Sequence, residues 1–542
     1  MNTYSNHTLL ELFSKSVFKY GDNQAFTYYN QYGYSYTATQ DKVLEISNLL
    51  SSSGIGIQDK VVILNPNGPH WAITYFAVTT SARVAVPLLI DYSEYEINAL
   101  IQHSDSKALF VTRKLFEKIS EETKKQLNLI VDIQNFSIIY QKEEQVQVND
   151  LRAPEPSDTA VIIYTSGTTG IPKGVMLSHL NLCSQIDMCY SLEQVEQEDV
   201  FLSLLPMSHA YECSLGMLLP FSRGASVNYI DKLPTPTILA EALKRVRPTH
   251  LLMVPLVMEK IYKTKILPTF TSRKLMRFLY AIPVFRKMFN KIAGKKLYEF
   301  FGGRLKFLGI GGAKLDNFVE RFLQETKIVP YAIGYGLTEA APLLAGATPK
   351  KVKLSSTGYK VNSVELKLTN INVNTGVGEI IAKGANIMQG YYKNPEATKA
   401  AFTEEGWLKT NDLAAMDETG RIYIKGRLGN MIVGPTGENI YPEEIEEVIN
   451  QHELVLESLV KDYKGKLVAM VYLNYEQLEQ AFITTKDETI KTLQDAVETI
   501  KNEIVEYVNA RVSKFARISI VVEQPTPFDK TATQKIKRFK YL

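Results

Sequence analysis

The densest chemistry in the chain lies in one stretch, Tyr164-Thr-Ser-Gly-Thr-Thr-Gly-Ile-Pro-Lys-Gly174. Its glycines let the backbone turn N–H groups toward an anion at close range. The hydroxyls of Thr165, Ser166, Thr168 and Thr169 add donors, and Lys173 adds a positive charge. That composition suits a polyphosphate. It is not the common nucleotide loop G-x-x-x-x-G-K-[ST], because Pro172 stands at the second glycine's position. A short Gly/Ser/Thr run is usually a plain flexible loop. This one is longer, follows an apolar β-branched run over 159–165, and precedes Ser178, a residue suited to capping a helix.

Other stretches carry further groups. Gly334-Tyr-Gly-Leu-Thr-Glu339 puts a carboxylate, a natural oxygen ligand for Mg²⁺, close after an aromatic ring. Alone it reads as a strand-to-helix turn. Trp407-Leu-Lys-Thr-Asn-Asp412 ends on an aspartate that in isolation would be a solvated carboxylate. Gly426-Arg-Leu-Gly-Asn430 offers the planar fork of Arg427. Leu205-Pro-Met-Ser-His-Ala-Tyr-Glu212 contains His209, and a lone histidine is more often a satisfied core residue. Thr531-Ala-Thr-Gln-Lys-Ile-Lys-Arg538 alone reads as a solvated basic tail.

Together these stretches resemble the adenylate-forming superfamily, which contains acyl-CoA synthetases, luciferases and peptide-synthetase adenylation domains. The resemblance covers essentially the whole chain. It implies an enzyme that joins a carboxylic acid to AMP from ATP and then passes the acyl group to a thiol. By that resemblance Thr165, Ser166, Gly167, Thr168, Thr169, Gly170 and Lys173 bind the β- and γ-phosphates. Tyr335 stacks on adenine beside Gly336, Gly312 and Ala313; Thr338 contacts the α-phosphate; Glu339 holds Mg²⁺. Asp412 accepts ribose hydroxyls, in a motif where Asn411 replaces the family's glycine, and Arg427 bridges ribose and phosphate. Lys535, with Lys537 as fallback, reaches in to bridge substrate carboxylate and α-phosphate as charge concentrates between them. His209 lies by the carboxylate as a positioning group. Gly429 and Asn430 depart from the family's hinge, Gly-Arg-x-Lys-Asp, but both tolerate unusual dihedrals. The segment 434–439 is similar to the part of the lid that faces the thiol tunnel.

The elements that must position these groups alternate. Helical patterns over 40–51, 71–81 and 94–103 interleave with apolar runs over 60–64, 84–88 and 108–111, and the order resumes at 200–205, 226–230 and 249–254. That β-α-β order predicts parallel sheets covered by helices. Residues 25–29 and 34–37 read as a strand pair. Strands dominate from about 355 to 425, suggesting a small barrel or sandwich. After Arg427 the character changes to a helix opened by Pro442, a strand over 466–472, a long helix over 488–512 and a strand over 518–522. The expected fold is α/β: a large N-terminal body of doubly wound subdomains plus a small β-barrel over 1–427, and a small mobile α+β lid over 428–542.

Composition narrows the class. A chain of 542 residues is too long for one core. Its 45% hydrophobic and 22% charged content is that of an ordinary soluble globular protein, and a net charge of +3 exerts no global pull on nucleic acid. Cys183, Cys189 and Cys213 have no metal-ligand spacing and read as reduced, mostly buried thiols. No secretory signal pattern or membrane-spanning run is present, so a cytoplasmic location is expected.

Segment 406–446 resembles the fatty-acyl-CoA synthetase signature, which implies a long-chain fatty acid–CoA ligase using ATP, Mg²⁺ and CoA. Two alternatives stand beside it: an acyl-adenylate enzyme serving a carrier protein's phosphopantetheine or short or aryl acids, and a noncatalytic acyl or nucleotide sensor. Residues 260–306 interleave thirteen lysines and arginines with aromatics against the single acid Glu299. Such a segment suits peripheral contact with anionic lipid, possible on the inner face of a membrane, or else packs its aromatics into the body.

Overall fold

The computed structural model describes residues 6–142, 148, 152–165, 172–232, 235–434, 438–475, 478, 493–531 and 536–541. Two parallel-rich sheets make the body. In one, strands Thr159–Thr165, Val84–Pro87, Lys60–Leu64, Ser106–Val111 and Leu129–Asp132 lie in that spatial order. In the other the order is Gln24–Tyr28, Ser226–Tyr229, Val200–Leu202, His250–Met253, Phe307–Ile310 and Tyr331–Gly336. Antiparallel strands extend both sheets at their edges. Strands covered on both faces read as continuous apolar runs, which is why Val61 to Leu64 and Leu251 to Met253 show no alternation.

Helix Pro69–Thr79 lies between the sheets and packs on strands of both. Its sequence is apolar on every face, the pattern of a helix surrounded by protein. Trp71 and Tyr75 stack on one another, and Phe76 meets Phe13, Phe26 and Phe221 in one ring cluster. Capping signals start the helices where the sequence places them. Ser93 and Glu96 form a capping box at Glu94–His103, and Ser178 and Asn181 another at His179–Leu192.

Three details differ from the sequence reading. The strand pair at residues 25–37 is shorter, because Ser35 caps a helix that already begins at Tyr36. Residues after Pro172 form a strand, Lys173–Ser178, antiparallel to Thr159–Thr165, so the glycine-rich stretch joins two strands before the helix. The expected barrel is, among the described residues, an open four-stranded antiparallel sheet of Val364–Thr369, Gly378–Gly384, Leu408–Met416 and Ile422–Arg427.

The basic-aromatic segment divides. Phe270, Tyr280 and Phe289 stack inward on one another, whereas Leu275, Phe278 and Val284 on helices Lys274–Ala281 and Pro283–Phe300 stay 66–75% exposed. Among the described residues no helix is long and apolar enough to cross a membrane.

The C-terminal domain pairs Val455–Tyr463 with Lys466–Leu473 and that strand with Ile520–Glu523, under helices Pro442–Asn450 and Leu493–Asn509. Its buried Glu446 accepts two hydrogen bonds from Arg538, at 2.7 and 3.0 Å. The basic tail is therefore built into the core rather than solvated at Arg538. Arg538→Ala leaves a buried carboxylate without its partner, a loss of about 3 kcal/mol. We expect a lower urea midpoint for Arg538→Ala, with most of the loss recovered by Arg538→Met combined with Glu446→Gln.

Candidate active site

Among the described residues, Thr165 and Tyr335 lie at the carboxyl ends of parallel strands, the usual place for a ligand in an open α/β sheet, and Asp412 and Arg427 come from the neighbouring antiparallel sheet. Tyr335 sits near the end of Tyr331–Gly336, and its Oη donates to Asp412 Oδ2 at 2.8 Å. Arg427 Nε donates to Asp412 Oδ1 at 3.0 Å. Asp412 and Arg427 face each other in register across strands Leu408–Met416 and Ile422–Arg427, so sheet pairing brings the carboxylate and guanidinium together. Asp412 is only 6% exposed. Burial, with the Asp412 charge beside it, pushes the Tyr335 phenol well above its ordinary pKa, so it is a hydrogen-bond donor there.

Asn411 adopts φ 58°, in the left-handed region, and its N–H donates to Glu379 Oε1. Asparagine is among the few residues besides glycine that visit this region. The swap thus keeps the turn that presents Asp412. Gly336 is fixed for a different reason: a methyl there would fall 1.9 Å from Pro342 O. Gly312 at φ 90° turns the loop after Phe307–Ile310, ahead of Ala313, and Gly311 N donates to Met253 O.

Thr338 is buried and Glu339 lies in the short turn Thr338–Ala340. Glu339 Oε1 accepts from Tyr391 Oη at 2.9 Å, and Lys173 Nζ stands 5.0 Å from the centre of the same ring. Tyr391 therefore links the lysine of the glycine-rich stretch to the carboxylate of the second motif. Thr165 pairs with Lys173 across the hairpin. The sequence reading did not name Tyr391; it ends a strand of two residues and touches Glu339 over 52 positions, so no local pattern marks it. Asn386, fully buried, holds the Glu339 turn by donating to Ala340 O and Leu343 O. Ser166, Gly167, Thr168, Thr169, Gly170 and Lys535 lie outside the described residues.

His209 is half-buried at the start of a helical segment. Asn67 positions it from afar, donating to Ser203 Oγ and Leu205 O and accepting from Met207 N. One turn on, Glu212 is buried in the π-helix Glu212–Leu218, and Gly216 leaves the room it needs, since a methyl there would lie 2.6 Å from its carboxyl carbon. Burial raises Glu212 to a pKa of about 8, against opposing hydrogen bonds from Ser203 and Leu205.

An almost wholly apolar cavity opens beside this segment, between Tyr211, Leu215, Leu252 and Gly309. Its lining includes Gly334, next to Tyr335, so the apolar cavity adjoins the strand that carries the Tyr335–Asp412–Arg427 junction. Both features belong to the adenylate-forming fold. A family model described as AMP-binding enzyme matches residues 13–392, and one described as AMP-binding enzyme C-terminal domain matches 429–542. The chain belongs to this AMP-binding enzyme family and is an AMP-forming acid–thiol ligase. It is 27% identical to long chain acyl-CoA synthetase 1 of Arabidopsis thaliana, over 98% of this chain and 90% of that protein. It is 26% identical to the chloroplastic long-chain-fatty-acid–[acyl-carrier-protein] ligase AEE15 of the same plant, over 97% and 84%. The fold matches O-succinylbenzoate coenzyme A synthetase from Bacillus subtilis in complex with AMP, with a TM-score of 0.76, 20% identity and coverage of 98% and 97%.

Glu212 supplies a pH test. Its folded pKa lies above the unfolded carboxyl value, so the folded state binds more protons between about pH 4.5 and about pH 8. Its contribution is complete below that window and is lost as pH rises through it. Glu212→Gln should flatten the fall in Tm from pH 5 to pH 8, read by thermal unfolding at matched ionic strength.

Proposed function

We propose that the protein is a long-chain fatty acid–CoA ligase: acid and ATP give acyl-adenylate and pyrophosphate, and CoA then takes the acyl group, giving acyl-CoA and AMP. The observation that supports this best is the junction of Tyr335, Asp412 and Arg427 beside an apolar cavity. In this reading Asp412 accepts from the ribose hydroxyls, Arg427 spans ribose and phosphate, and Tyr335 stacks on adenine against Gly336, Gly312 and Ala313. Thr338 meets the α-phosphate. Thr165 to Gly170 and Lys173 hold the outer phosphates.

A carboxylate is a poor electrophile, and the site must first bring two anions together. Lys173 and Lys535 offset their repulsion while the walls hold them in line. The acid's oxygen bonds to the α-phosphorus as the bond to pyrophosphate breaks. The thiol then adds to the acyl carbon, its proton leaves to solvent, and AMP departs. His209 orients the acid's carboxylate. Glu339 fits Mg²⁺ because Mg²⁺ takes one or two carboxylates and completes its shell with water and phosphate. Among the described residues no cluster of three or more ligating side chains exists, and Tyr391 occupies only one Glu339 oxygen. When bound, Mg²⁺ would screen charge on the phosphates.

Residues 1–427 form the body and 428–542 a lid that pivots near Gly429, where a side chain would meet nothing within 4 Å. Across this boundary Lys314 pairs with Glu447 at 2.6 Å and Lys425 with Glu444 at 2.9 Å, both partly exposed contacts that can break and re-form. The exposed Leu275, Phe278 and Val284, beside exposed Lys287, Lys291, Lys295 and Lys296, fit peripheral docking on anionic lipid at the inner membrane face, with the rest of the enzyme in the cytoplasm.

We expect CoA-dependent AMP release, measured over straight-chain acids from acetate to octadecenoate, to peak at long chains and to vanish with EDTA. Adenylate formed without CoA-driven turnover would shift the acceptor to a carrier protein, and no AMP from any acid would favour a sensor. Neutralising the four lysines should weaken partition onto anionic vesicles at least tenfold; unchanged partition would remove the docking reading.

A further inference from the structure

The apolar cavity ends on a polar pair. His250, on strand His250–Met253, is 1% exposed and lines the cavity with Glu193. Its ring stacks on Phe201 at 4.6 Å, and Phe307 lies on its other side in register. Nδ1 is engaged at 2.9 Å by Thr249 Oγ1, which also accepts from Val200 N. Asp199 lies 3.8 Å from Nδ1 and is itself paired with Lys306. Nε2 has no hydrogen-bond partner among the described residues, and Glu193 Oε1 stands 3.7 Å from it, beyond hydrogen-bond range. A buried ring nitrogen left unmade in an otherwise apolar slot is costly.

The slot's direction follows from the sheet. Phe307, Gly309 and Gly311 are alternate residues on one face, and methyls added at Gly309 and Gly311 would meet Tyr211 at 3.0 and 3.3 Å. The two glycines thus make room for the Tyr211 ring, which lines the cavity with Phe307 and Gly309, so the slot runs from His250 along this face in the direction of Gly311 and the loop of Gly312 and Ala313 that follows it. Four strand residues, from the level of Phe307 to that of Gly311, span about 13 Å. An extended hydrocarbon of ~1.5 Å bonds advances about 1.3 Å per carbon, so about ten carbons separate the two ends.

We propose that His250 and Glu193 recognise a hydroxyl carried by the acyl chain about ten carbons from its carboxyl. A hydroxyl both donates and accepts: with Nε2 protonated it accepts from the ring and donates to the Glu193 carboxylate, and with Nε2 bare it donates to the ring; a methylene can do neither. The substrate class is then an oxygenated fatty acid. This rests on reading the cavity as the acyl slot of the ligase proposed above.

The test compares 10-hydroxydecanoate with decanoate, and 10-hydroxyoctadecanoate with octadecanoate, by kcat/KM for AMP release and by calorimetric binding of each acid. In at least one pair the hydroxy acid should be favoured tenfold or more by the native enzyme. His250→Phe, which matches its ring neighbours in shape, should bring that ratio to one or below. Glu193→Gln should lower it partly, and His250→Gln should retain part of it. Equal use and equal binding in both pairs, or a ratio untouched by His250→Phe, would overturn the proposal while leaving the ligase reading intact. Tighter binding of the hydroxy acid with no AMP from any acid would do the reverse. No binding of any acid would overturn both.

Discussion

The site depends on one buried carboxylate. Asp412 gives up hydration on entering the body, and two donors compensate it: the Tyr335 phenol from the end of a parallel strand and the Arg427 guanidinium from the neighbouring antiparallel strand. Because those donors come from different sheets, the carboxylate fixes the open four-stranded sheet against the parallel one. It also fixes Arg427 at the junction where the C-terminal domain begins. The same geometry holds the two sheets in place.

Around that junction the other groups are held by neighbours remote in sequence. Tyr391 couples Lys173 to Glu339, Asn386 pins the Glu339 turn, and Asn67 anchors the segment that carries His209. Such groups donate through neutral phenol or amide hydrogens and add no charge of their own to a site meant for anions.

Much of this was legible in the chain. The helix at His179 starts after Ser178, the cap the sequence offers, the helix over 94–103 keeps its expected bounds, and the β-α alternation gave the parallel sheets, since these signals are local. Strand Lys173–Ser178 was not legible, because a proline precedes it, a lysine opens it and its partner lies across the glycine-rich stretch. The four-stranded sheet was legible as strands but not as an open sheet, closure being a property of edges. The Asn411 swap looked like a departure, yet its φ of 58° makes it a conservative one. Arg538 looked like tail charge, and its pairing with Glu446, 92 positions away, is a contact no periodicity encodes.

The most direct test of the central claim is acid-dependent exchange of labelled pyrophosphate into ATP in the absence of CoA. This isolates the first half-reaction at the Asp412 junction. The account predicts exchange that requires a fatty acid and falls at least a hundredfold in Asp412→Ala with the fold retained by circular dichroism. Exchange that survives Asp412→Ala undiminished, or that no acid supports in the native enzyme, would contradict it.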